Sequence, residues 1–149
     1  MKIIYVDDIK DQSILKRIET INGVYFMDKE QCNVIISAAN NSIDTLKEWF
    51  NIIGIQYDNI KIINENIVYT VNKKDLYLAD LSSGERYILY LLACKQLNAN
   101  IIAEGLLERL GNRLRNVVKE HLTNYSNLIV VYYNSYINSE FEKYAVKEI

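Results

Sequence analysis

The chain has 149 residues, of which 50% are apolar and 24% charged, with a formal net charge of −2 at neutral pH. That is the length of one ordinary domain with a sizeable core, so 1–149 reads as a single domain. No apolar run reaches the roughly 18 residues of a membrane helix, and a net negative charge gives no general pull toward a phosphate backbone, so membrane insertion is not expected and nucleic-acid binding is unsupported.

The opening Met1-Lys2-Ile3-Ile4-Tyr5-Val6-Asp7-Asp8 turns acidic too soon for a signal peptide and reads as a cytoplasmic terminus. Residues 2–6 form a strand expectation, as does Val24-Tyr25-Phe26-Met27 after Gly23, both pairing outside the main sheet. Asn33-Val34-Ile35-Ile36-Ser37 reads as a strand buried on both faces. Leu46, Trp49, Phe50 and Ile53 then recur at helical spacing and Gly54 supplies a stop. Strands are expected over 60–63 and 67–71, with Asn72-Lys73-Lys74-Asp75 turning the chain into Leu76-Tyr77-Leu78, a small antiparallel piece.

Ser82 or Ser83 caps an expected helix through Tyr87-Ile88-Leu89-Tyr90-Leu91-Leu92-Ala93, apolar nearly all round and therefore deeply buried. Ile101-Ile102-Ala103 is a minimal strand. Leu107, Leu110, Leu114, Val117, Val118 and either His121 or Leu122 mark one face of the next helix, whose opposite face carries Glu108, Arg109, Arg113, Arg115 and Lys119. Leu128-Ile129-Val130-Val131-Tyr132-Tyr133 is a final buried strand, and residues from Phe141 onward suit a helix or a short strand. Strands alternating with helices favour an α/β fold with a mostly parallel sheet flanked by helices and a small antiparallel portion. Cys32 and Cys94 have neither CxxC spacing nor a histidine cluster, since His121 is the only histidine, so no metal site is expected.

Four short stretches carry chemistry. A phosphate-binding loop needs glycines that let the backbone wrap the phosphates, a lysine that neutralises them and a hydroxyl for Mg²⁺. The matching window here is Ala38-Ala39-Asn40-Asn41-Ser42-Ile43-Asp44-Thr45. Asn40, Asn41, Ser42 and Thr45 resemble the loop of ABC-type ATPases of the recombination and overcoming-lysogenisation lineage. Ile43 stands where the glycine would be, and Asp44 puts a carboxylate where the lysine would meet triphosphate. Two like charges about 4 Å apart repel by about 1 kcal/mol even in bulk water. Read by itself, the window is also an ordinary helix-capping loop.

Leu81-Ser82-Ser83-Gly84-Glu85-Arg86 resembles the signature motif of the same family, whose serine hydroxyl and helix N-terminus contact ATP held by the opposite subunit. Ser82 with Glu85 also spells a capping box, which requires no nucleotide. Asn100-Ile101-Ile102-Ala103-Glu104-Gly105 resembles the strand ending in Asp-Glu-Pro; Ala103 removes the Mg²⁺-ordering carboxylate, while Glu104 retains the one that activates water. Val131-Tyr132-Tyr133-Asn134-Ser135 stands where the family has Thr-Thr-His-Ser, and Asn134 cannot act as a cation or proton shuttle.

The resemblance covers residues 33–135 and implies a P-loop NTPase-like fold with a reduced helical subdomain, since only a helix and a hairpin fit between Leu46 and Leu81. The family's glutamine loop has no assignable counterpart; Gln56 is the nearest candidate. The resemblance further implies a pseudo-ATPase with little or no hydrolysis of its own and no resident cofactor. It would act through the Ser82–Glu85 face on a protein partner, either a competent ABC-type ATPase or a second copy of itself. A second reading keeps weak Mg-ATP binding through Thr45, Glu104 and Lys47. A third is a nucleic-acid accessory role for Arg109, Arg113, Arg115 and Lys119.

Overall fold

The computed structural model describes residues 1–5, 42–64, 66–132 and 145–146. The protein is a mixed α/β chain with a parallel sheet and a separate antiparallel sheet, and it divides into two compact units, one from 1–26 with 98–149 and one from 27–97. The expected strands at 24–27 and 33–37, together with Cys32, Asn40, Asn41 and Asn134, lie outside the described residues.

In the first unit, β1 (Lys2–Tyr5), β5 (Ile101–Glu104), β6 (Leu128–Tyr132) and β7 (Ala145–Val146) form an all-parallel sheet in the order β5-β6-β1-β7. This corrects the expectation that residues 2–6 pair outside the main sheet. β1 pairs with β6 on one edge and β7 on the other, and Ile3 and Ile4, which point to opposite faces, are 0% and 6% exposed, as in a strand covered on both faces. Of the residues expected to form a helix or a short strand from Phe141 onward, the described pair Ala145–Val146 is a strand.

The single helix expected after β5 is two helices, α3 (Leu106–Arg109) and α4 (Asn112–His121). Leu110 is extended (φ −99°, ψ 137°) and Gly111 caps α4 in an extended conformation, so the chain breaks between them. The apolar series misled because Leu107, Leu110, Leu114, Val117 and Val118 are all buried on either side of that break. At the end of the series Leu122 is buried and His121 half-exposed. A tie from the far end closes the unit: the Tyr125 hydroxyl donates to the Ala99 carbonyl.

In the second unit, α1 (Ile43–Ile53) buries Leu46, Trp49, Phe50 and Ile53, the four residues its spacing singles out. Ser42 caps its start, and Gly54 ends it at φ 85°, a left-handed conformation that costs a residue without Cβ little; its amide reaches the Phe50 and Asn51 carbonyls. β2 (Asn59–Ile63), β3 (Asn66–Val71) and β4 (Lys74–Tyr77) form an antiparallel meander. Asn72 and Lys73 join β3 to β4 with φ of 51° and 66°, the twist a two-residue hairpin needs. Phe50 meets Tyr69 edge-on at 5.4 Å and Tyr57 at 5.7 Å, locking α1 to the meander. A 3₁₀ turn (Leu78–Asp80) leads into α2 (Ser83–Gln96), which packs against α1 and buries eight consecutive residues, Tyr87 to Cys94. Unbroken burial around a helix matches its all-round apolarity.

Candidate functional site

α2 begins with both halves of a capping box. The Glu85 amide donates to Ser82 Oγ at 3.2 Å, and the Ser82 amide donates to Glu85 Oε1 at 3.2 Å. The Ser82 hydroxyl donates to the same carboxylate oxygen at 2.9 Å. Ser82 and Ser83 are exposed and Gly84 is half-buried, so the first turn of α2 faces solvent. By helix geometry the amides of Ser83 and Gly84 lack intrahelical acceptors. The capping reading is therefore realised, and it leaves these two backbone donors at the surface.

The surroundings of this turn are acidic. Asp80 accepts the Tyr77 amide at 2.8 Å, and Glu85 is an acid in the first turn. Burial raises the Tyr69 phenol above its ordinary pKa of 10.0, and the Asp80 and Glu85 carboxylates raise it further, so all three groups share one region. Within three residues of Ser83 in sequence stand the carboxylates of Asp80 and Glu85 and the guanidinium of Arg86.

The phosphate-loop window is described only from Ser42 onward. Ser42 Oγ accepts the Asp44 amide at 3.2 Å, and Ile43, Asp44 and Thr45 form the first turn of α1. A helix does start where the resemblance calls for one, but Asp44 already occupies its positive end, where an anionic ligand would be drawn. Ile43 is 37% exposed and Thr45 half-buried.

Because α1 and α2 pack together, the Ser42–Thr45 and Ser82–Glu85 turns belong to one unit. Glu104 belongs to the other, at the C-terminal end of β5, where it is half-buried and registers against Val131 of β6. After it, Gly105 adopts φ 62°, and its amide donates to the Val131 carbonyl at 3.0 Å. The ends of the carboxylate strand and of the final strand are thus neighbours, although Asn134 itself is outside the described residues. Lys47 is half-buried on α1.

Of the basic residues, Arg109 sits on α3 and is separated by the Leu110–Gly111 break from Arg113, Arg115 and Lys119 on α4, so they do not form one helix face. Arg115 donates to Asn112 Oδ1 within α4. Among the described residues, no cluster of three or more His, Cys, Asp or Glu could hold a metal ion, and no helix is long and apolar enough to cross a membrane. Gln56, the nearest candidate for the glutamine loop, lies with Asn51, Asp58 and Asn72 around one open cleft, a grouping formed only when the meander folds back onto the end of α1. Comparison with family models and with curated proteins gives no match to this chain.

Proposed function

We propose that this chain is a catalytically defective ABC-ATPase-like protein that serves as a binding or regulatory partner through the start of α2. The observation that carries the reading is the contrast between two helix starts in one unit. The turn at Ser82-Ser83-Gly84-Glu85 is capped, solvent-facing and keeps two outward backbone donors, while the turn at Ser42-Ile43-Asp44 has a carboxylate in the place of a phosphate-neutralising lysine. The adjacency of the strand ends at Glu104 and Tyr132 adds support, since the resemblance assigns carboxylate and phosphate-contacting roles to those two ends.

Asp80 and Glu85 refine the partner. They oppose a free anion and favour one that arrives with its own positive charge, such as Mg-complexed nucleotide held by a competent ATPase or by a second copy of this chain.

Thermal melting with and without millimolar Mg-ATP tests the cis half of the reading. No shift is expected for the natural sequence, because a ligand that does not bind the folded state cannot stabilise it. A clear shift favours instead the weak ATP-binding reading through Thr45, Glu104 and Lys47. The trans half is tested with Ser83→Arg, which fills the exposed turn without touching the Ser82–Glu85 box. If Ser83→Arg changes neither the molar mass by light scattering nor the rate of an added ABC-type ATPase, the α2 start is not a docking face.

A further inference from the structure

We draw no further inference here: the strongest candidate, the apolar surface patch that Ile62 and Ile63 expose on the edge strand β2, carries nothing because nothing among the described residues shows what covers it.

Discussion

Ser82→Ala and Ser83→Ala, two substitutions one residue apart, should have very different effects. Ser82→Ala deletes the acceptor of the Glu85 amide at 3.2 Å and the donor to the Glu85 carboxylate at 2.9 Å. Loss of a serine cap costs about 0.5–2 kcal/mol, and at this exposed site about 1 kcal/mol is expected. Ser83 is the first helical residue and its hydroxyl makes no hydrogen bond among the described residues, so Ser83→Ala should stay within about 0.5 kcal/mol of the natural chain. Trp49 is the sole tryptophan, 7% exposed on α1, and α1 packs on α2, so its fluorescence reports the unit that holds the cap. In urea, with a slope of about 1–3 kcal/mol/M, Ser82→Ala should lower the midpoint by about 0.3–1 M. Equal losses in the two variants, or a larger loss for Ser83→Ala, would refute the assignment of the cap. They would also remove the outward Ser83 hydroxyl from the candidate docking face.

Phe50→Ala, at 0% exposure and between two edge-on tyrosines, should cost about 3–5 kcal/mol by the same fluorescence assay. Lys73→Gly creates Asn-Gly at two successive positive-φ positions and should stabilise the hairpin by about 0.5–1 kcal/mol, read as a raised urea midpoint. Gly105→Ala forces a Cβ into φ 62° and to 3.3 Å from Glu108 Oε2, and should cost about 1–2 kcal/mol in thermal melting followed by circular dichroism. Tyr69 has a folded pKa raised above 10.0, so its contribution to stability is complete below that pH and is lost as pH climbs through the folded value. Tyr69→Phe should therefore show a shallower fall of urea midpoint between pH 9 and pH 11; an unchanged slope would disconnect the phenol from alkaline unfolding.

What sequence could reveal follows from which forces are local. The α1 face, its Gly54 stop and the Ser82 start of α2 were legible because period and capping chemistry sit within a few residues of one another. The internal place of β1 was not, since a four-residue apolar run looks the same at an edge and in the middle; only its partners, more than 120 positions away, decide. The break between α3 and α4 hid behind a continuous apolar period, and the isolated Gly111 was its one local signal. For the candidate site, residue identities announced a helix start and a missing lysine. The carboxylates of Asp80 and Glu85 flank Ser83 in sequence, but the approach of Tyr69 to them required the fold. The cleft at Asp58 depended wholly on the meander's return to α1.

The position of β1 also sets an order of events during synthesis. Lys2 pairs with Ile129, so 127 further residues must be translated before that strand has its neighbour, about 6 to 25 s at ordinary elongation rates. Over the same interval residues 27–97, a continuous stretch, can complete their own compact unit. The nascent chain thus carries a short apolar strand with unpaired edges ahead of an already folded body, the kind of segment that holding chaperones shield. Moving the segment to a point beyond residue 132, with the sheet order kept, would shorten that exposure, at the loss of the bond from the Met1 amino group to the Thr123 carbonyl.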